Sequence, residues 1–486
     1  MGCDQCDRRP ARIPNIQELP MVTTPRHWLK RIQEGAKPAY ILIAEVIAED
    51  IHKGSLAVRD PLPTLRDLAR DLGLNYTTVA RGYAEARKRG LIDTHVGIGT
   101  VVRGSHPGLP IRAGTGAAMT MNSPPEPDAP PLLQAMADSL HEVMCPHGKP
   151  ALYDLLRYQD FGGSHEDREA GVQWLRSHLP QCTAAQVMVA PGIHGVLLAL
   201  MSLLARPGEI VCVESLCYPG IKAIAAQLGV KLQALPMDGD GLLPEAFEHA
   251  CKTLYPRALI CNPTIHNPTT ATLPRERREA IADIALRYSI PLIEDDAYGK
   301  LTDRNLPTLS SLAPELTYYI SGLSKSLGAG LRLAYVHAPS EMLGQRLAGA
   351  LRATAVMASP ITAALATRWI VSGLAYRMLD AIRAESAARQ ALASRYLQDF
   401  EVQTHPDGFH LWLQVPQARS ATELAASLRA QGVPAVASVA FSTDADPPPA
   451  LRLCLGGHVS RNDVQQSLRV LAIAMDQMGQ GYSSAL

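Results

Sequence analysis

The sequence has no excess of charge of either sign: 46 Lys and Arg stand against 46 Asp and Glu in 486 residues. No global field therefore draws the chain to nucleic acid or to a membrane surface, and any DNA-binding surface must be local. A disulfide framework is also missing. The nine cysteines, at positions 3, 6, 145, 182, 212, 217, 251, 261 and 454, are odd in number and scattered, as in a protein of a reducing cytoplasm. Cys3 and Cys6 form a lone Cys-x-x-Cys, compatible with zinc or redox chemistry but without the second pair of a zinc site, so no metal centre is expected. Long hydrophobic runs are absent as well: the apolar stretch 196–204 is too short to span a bilayer, and no charged-then-apolar signal opens the chain. A soluble, cytoplasmic protein with no membrane partner is expected. What is present, 47% hydrophobic residues, suffices for large cores, and the length suggests two or three domains.

Residues 1–37, broken by Pro10, Pro14, Pro20 and Pro25, carry little apolar period and read as an extension, ordered only if Trp28 and Leu29 dock on something. From residue 38 to 103 the pattern is a small helical domain. Tyr40, Ile43, Val46, Ile47 and Ile51 share one helical face; Thr64 caps a second helix with Leu65, Leu68 and Leu72; Asn75 caps a third with Val79, Tyr83 and Ala86. The short turn between the last two helices marks a helix-turn-helix, and the alternating stretches around Gly97-Ile98-Gly99 form a wing. Residues 104–131, rich in proline, glycine and serine, read as a linker whose far end, Asn122-Ser123-Pro124-Pro125, already reaches toward the next domain. From 132 to about 480, helical periods alternate with short β-branched runs, the mark of an α/β domain, with a smaller lobe at its end.

Chemistry concentrates around Lys325. It lies in Ser321-Gly322-Leu323-Ser324-Lys325-Ser326-Leu327-Gly328, between two strand-like runs, where burial is hard to avoid. A desolvated ammonium sheds its proton more readily and becomes a nucleophile for an aldehyde. Arg332, seven residues on, suits a phosphate. The turn Gly192-Ile193-His194 opens a long apolar helix and offers free N–H groups to an anion, although an ordinary strand-to-helix turn has the same form. Asn267 and the run Glu294-Asp295-Asp296-Ala297-Tyr298 each follow a buried strand. A carboxylate at such a place keeps a pyridine nitrogen protonated, with metal binding or helix capping as its alternatives.

Residues 38–103 resemble the GntR family of winged-helix regulators, through Leu62-Pro63-Thr64-Leu65-Arg66-Asp67-Leu68-Ala69 and Gly97-Ile98-Gly99-Thr100. The resemblance implies double-stranded DNA as partner, with Arg66 on phosphate or base, Tyr76, Thr77, Thr78 and Arg81 at the major groove, and Gly97 and Gly99 on the backbone or minor groove. Arg87-Lys88-Arg89 is either a phosphate clamp or a solvated helix end. Residues 120–480 look like a fold type I, aspartate-aminotransferase-like domain. That implies pyridoxal 5′-phosphate (PLP) held as a Schiff base on Lys325, with Asp295 on its ring nitrogen and Asn267 and Tyr298 on its phenolic oxygen. It also implies Arg332, Gly192, Ile193 and His194 on its phosphate, Tyr218 stacked on the ring, Ser324 among the cofactor contacts, and Arg452 for an effector carboxylate. The sequence departs from the family where Thr270 stands for the usual glycine, where Gly322 stands for a hydroxyl residue, and before Gln181, where an Arg-Gly pair is often found and is absent. Both domains in this order resemble the MocR subfamily of bacterial regulators. The expected fold class is therefore α/β, an N-terminal winged helix-turn-helix joined to a large fold type I PLP-dependent transferase domain with a smaller C-terminal lobe. The resemblance implies a head-to-tail homodimer whose DNA binding responds to PLP, or to an amine or amino acid that displaces Lys325 as an external aldimine. A working aminotransferase with an accessory winged helix is the alternative, and whether the chain turns over substrate stays open at this point.

Overall fold

The computed structural model describes residues 26–483 apart from 36, 54, 57–59, 96–98, 103–121, 150, 303–305, 417–419, 434 and 445. The chain forms two compact units, 1–113 and 114–486. Gly97, the Cys3 and Cys6 pair and residues 104–121 lie outside the described residues. Among those described, no helix is long and apolar enough to cross a membrane.

The described residues of the first unit form four helices, α1 (Arg26–Gln33), α2 (Ala39–His52), α3 (Leu65–Leu72) and α4 (Tyr76–Lys88), and an antiparallel pair, β1 (Ile92–His95) with β2 (Gly99–Val102). Local chemistry sets each end. The Thr64 hydroxyl accepts from Asp67 N at 3.2 Å, Gly73 closes α3 at φ +63°, and Asn75 Oδ1 accepts from Thr78 N at 2.8 Å. Helices α2 and α4 cross closely because Gly82 has no side chain: a Cβ there would lie 2.9 Å from Ile43. Ile43, Ile47, Leu68, Val79, Tyr83 and Ala86 are buried together, and the Tyr83 hydroxyl donates to Pro63 O at 2.8 Å. Trp28 completes this core. It is wholly buried, and its indole Nε1 donates to Asp50 Oδ2 at 2.7 Å, so the condition set for order in the N-terminal stretch is met over α1. The core of this unit thus starts ten residues before Pro38.

The second unit is built on seven strands: β3 (Val187–Ala190), β4 (Ile210–Glu214), β5 (Lys231–Leu235), then, after the two-residue pair β6 (Met237–Asp238) and β7 (Gly241–Leu242), β8 (Leu259–Cys261), β9 (Leu292–Asp295), β10 (Thr317–Gly322) and β11 (Ala334–His337). They lie in the order β3-β11-β10-β9-β8-β4-β5, parallel from β10 through β5, with β11 antiparallel to both its neighbours. Strands covered on both faces read as continuous apolar runs rather than alternating ones, and β3, β8 and β9 are buried throughout. A smaller lobe carries β12 (Val402–Thr404), β13 (His410–Gln414), β14 (Ala435–Ala437) and β15 (Ala450–Cys454), an antiparallel sheet in the order β12-β13-β15-β14, packed on the helices Ala421–Ala430 and Arg461–Ser483. Residues 122–125, from the stretch read as linker, run against this lobe: Gly457 N donates to Pro124 O at 3.1 Å, and a Cβ on Gly456 would come within 1.9 Å of Ser123 O. The helix Pro130–Met144 also starts inside that stretch.

Candidate functional site

In a parallel sheet, ligands gather at the carboxyl ends of the strands. Here β4 ends at Glu214, β8 leads to Asn262 and Asn267, β9 ends at Asp295, and β10 leads to Ser324 and Lys325. These ends, with Arg332 just before β11, surround a cavity of about 390 Å³. Lys325, Asp295, Tyr298, Asn267, Arg332, Tyr218, Ile193, His194, Ser324 and Arg452 all line it. Gly192 stands one residue behind, as the N-cap of the helix Ile193–Leu204 at φ +82°, and a Cβ there would sit 3.6 Å from the Arg332 guanidinium. A helix N-terminus and an arginine thus meet at one rim, an arrangement for an anion.

Burial governs the electrostatics. It pulls the Lys325 ammonium down to about 8, with Arg452 and Arg332 adding to the fall and Cys454 and Asp295 opposing it. Burial pushes Asp295 up to about 7, helped by the like charges of Asp296 and Glu214 and opposed by Lys325. Asp295 Oδ1 is buried and has no hydrogen-bond partner among the described residues. Such an atom needs a donor, and a protonated ring nitrogen supplies one. Asn262 splints the site, its Nδ2 donating to Asp295 O at 2.7 Å and its Oδ1 accepting from Asn267 N at 2.9 Å. Arg452 is buried, with Nη1 donating to Asn267 Oδ1 at 2.9 Å and its guanidinium 4.8 Å from the Phe441 ring centre. His194 and Tyr218 meet edge to face at 6.2 Å, and burial lowers the imidazole's affinity for a proton.

The departures at Thr270 and Gly322 have a physical account. Thr270 adopts φ +67°, the left-handed conformation that glycine takes freely, and its N–H donates to His266 O at 2.7 Å. The loop keeps a glycine's backbone at the cost of strain in a β-branched residue. Thr270→Gly is therefore expected to raise stability by about 1 kcal/mol, read from the unfolding of the second unit in denaturant; an unchanged or lower value contradicts the strain. Gly322 makes room for its neighbour, since a Cβ there would meet Ile193 at 2.6 Å and that side chain would have to shift. The Ser321 hydroxyl beside it accepts from Trp174 Nε1 at 3.2 Å.

Sequence reasoning did not assign Asn122. Its Nδ2 donates to the Tyr298 hydroxyl at 2.7 Å and faces His410 Nδ1 at 3.0 Å, and its backbone carbonyl accepts from Lys325 Nζ. Glu214, Cys217 and Phe441 also line the cavity without having been singled out. Glu214 ends β4 as Asp295 ends β9, the acidic strand end that could have marked it, whereas Cys217 and Phe441 carry no local signal because a loop and the smaller lobe bring them in.

On the first unit, Arg66, Tyr76 and Thr77 are exposed, and Thr78 is partly so. The hydroxyls of Thr77 and Thr78 donate to Asn75 Oδ1 at 2.8 and 2.7 Å, so they present their lone pairs outward as acceptors. The Arg81 guanidinium lies 4.3 Å from the Tyr40 ring centre, stacked on α2, and Gly99 opens β2.

The family model for aminotransferase class I and II matches residues 125–471. The chain belongs to that family. The model for bacterial regulatory proteins of the gntR family matches residues 40–102, and a winged helix fused to an aminotransferase-like domain is the MocR arrangement. The uncharacterized HTH-type transcriptional regulator YdeF of Bacillus subtilis is 28% identical over 470 residues, 93% of this chain and 98% of that protein. The vitamin B6 salvage pathway transcriptional repressor PtsJ of Salmonella typhimurium is 28% identical over 385 residues, covering 78% of this chain and 86% of the repressor. Among solved structures, an archaeal alanine:glyoxylate aminotransferase shares the fold with a TM-score of 0.66 at 23% identity, over 74% of this chain and 90% of its own. PLP is the cofactor of this aminotransferase fold, and the unpaired Asp295 oxygen, the anion rim at Gly192 and Arg332, and the lowered Lys325 amine fit it.

Proposed function

We propose that this chain is a transcriptional regulator whose DNA binding responds to PLP or to a small amine or amino acid taken up beside it. The observation that carries it is one chain holding both a Lys325 amine directed into a buried cavity and a helix-turn-helix with Arg66, Tyr76 and Thr77 exposed. Two similar regulators, PtsJ, a vitamin B6 salvage repressor, and PdxR from Corynebacterium glutamicum, a pyridoxine biosynthesis regulator, support it.

Lys325 would hold the cofactor covalently and Asp295 would hold its ring nitrogen. Asn267 and Tyr298 would bond its phenolic oxygen, and Tyr218 would cover its ring. The Gly192, Ile193 and His194 turn, Ser324 and Arg332 would take its phosphate. When bound, PLP supplies an aldehyde open to primary amines and a ring that draws electrons. Around it the chain's own groups orient and exclude water. Asp295, raised to about 7 while alone, becomes anionic against a cation. Arg452, steadied by Asn267 and Phe441, lines the cavity with its guanidinium, a group suited to a carboxylate. A head-to-tail dimer through the second unit belongs to this proposal, in keeping with the exposed side chains of Tyr153, Leu156 and Tyr158. So does work in the cytoplasm, where DNA and free PLP meet.

Footprinting the purified chain on the DNA upstream of its own gene, with and without PLP, tests the proposal. A discrete footprint that moves or strengthens with PLP is expected. Arg66→Ala should weaken it by about 1–3 kcal/mol and reduce the salt slope by about 1, as removal of a phosphate-binding cation does. Absence of any discrete footprint would remove the regulator. A working aminotransferase is the second reading, favoured by the joint presence of Lys325, Asp295 and Arg452 in the cavity, and steady conversion of amino acid to keto acid would establish it.

A further inference from the structure

The amide of Asn122 has only one possible orientation. His410 is wholly buried, its Nε2 lies 3.1 Å from the carbonyl of His266, and burial holds it neutral, with its affinity for a proton down at about 3. A carbonyl accepts only, so Nε2 carries the ring's single proton and Nδ1 is an acceptor. The Asn122 atom 3.0 Å from Nδ1 must then be the donor Nδ2, whose other proton goes to the Tyr298 hydroxyl. Oδ1 is left at the far end of the amide. It is buried, without a partner among the described residues, in a side chain that lines the cavity. The same residue's backbone carbonyl accepts from Lys325 Nζ. The residue whose carbonyl holds the lysine therefore brings two acceptors to the cavity wall, and among the described residues only one of them is engaged.

We propose that Asn122 reads the nitrogen of the ligand: Oδ1 accepts from an ammonium that enters beside Lys325, while the backbone carbonyl holds the Lys325 ammonium. This rests on the PLP-responsive function above and names how that site selects amines. When a primary amine takes the place of Lys325, its nitrogen gains a bond to the cofactor's aldehyde carbon and Nζ loses one. Two protons pass from the ligand nitrogen to Nζ, and nothing is oxidised or reduced. Both cationic nitrogens need acceptors in a buried site, and nearby Arg452 and Arg332 supply none. Glu214 and Asp295 are the anions that line the same cavity, and Asp295 is committed to the ring nitrogen.

Pyridoxamine 5′-phosphate is the probe, since it carries its own ammonium where PLP carries the aldehyde and leaves Lys325 free. Dissociation constants for both forms would be measured on the full chain by tryptophan fluorescence and by absorbance. In Asn122→Ala the ratio of the pyridoxamine constant to the PLP constant should rise about tenfold over the wild type, the loss of one charge-assisted bond. In Asn122→Asp, which keeps an acceptor and adds a charge, it should fall below the wild-type ratio. Equal changes in both constants, whatever their size, would mean that Asn122 only supports the fold and would overturn the proposal. If Asn122→Ala does not fold, the aspartate variant decides alone, and a ratio at or above wild type counts against the proposal. A wild-type chain that binds neither form overturns the PLP-responsive function itself, and this inference with it.

Discussion

Lys325→Ala is expected to abolish covalent capture of PLP and to leave the DNA footprint indifferent to it. Among the described residues that line the cavity it is the one lysine, and none stands in for it. Lys300 is also buried and also brought down to about 8, but its Nζ donates to Trp174 O and to Ser177 Oγ at 2.6 Å, away from the cavity lining. Loss of the covalent bond leaves the anion rim and Asp295 to hold the cofactor, and affinity should fall by a hundredfold or more, about 3 kcal/mol. Lys325→Arg should do the same, because a guanidinium keeps the charge and is not a nucleophile. Absorbance of bound PLP and footprinting read both variants; a footprint still moved by PLP in Lys325→Ala would detach the response from the lysine. The wild type offers a companion measurement. Only neutral Nζ attacks an aldehyde, and a group titrating near 8 goes from about one-tenth neutral at pH 7 to about nine-tenths at pH 9. PLP uptake should quicken about tenfold across that range, and a flat profile would contradict the lowered amine.

The parts of this architecture that repeat along the chain were open to reading in advance. Helical spacing of Ile43, Ile47, Val79 and Tyr83, caps at Thr64 and Asn75, and buried apolar runs ending in Asn262 or Asp295 are all local signals, and each became the element it announced. Nine of the ten cavity residues came together because the seven-stranded sheet delivers these strand ends to one edge whatever lies between them, and Arg452 joins them from β15 of the smaller lobe. Non-local contacts left no such trace. Asn122 sat in a proline-rich stretch that reads as a tether, and its partners Tyr298, His410 and Lys325 lie 176, 288 and 203 residues away. Gly322 looked like a lost hydroxyl until Ile193 filled the space above it. A single aromatic in a stretch without period, Trp28, gave no hint of its partner.

That partner makes Trp28→Ala the second large effect. The side chain is wholly buried among Ile43, Leu68 and Val79, and its truncation should cost about 3–5 kcal/mol. The loss also takes a donor from Asp50, itself buried, whose carboxylate is shared with His27 Nε2 at 2.8 Å. Against the roughly 5–15 kcal/mol that holds a domain together, the first unit should melt lower by about 15 °C or more. Trp28→Phe, which keeps most of the packing and loses only the N–H, should cost about 1–2 kcal/mol. Because the chain forms two compact units, calorimetry of the full protein should show the low transition move while the PLP-stabilised one stays. DNA binding should be lost at 37 °C with the cofactor band intact. A first transition unmoved by Trp28→Ala would mean that α1 lies on the winged helix without holding it, and that the DNA-binding unit begins at α2 after all.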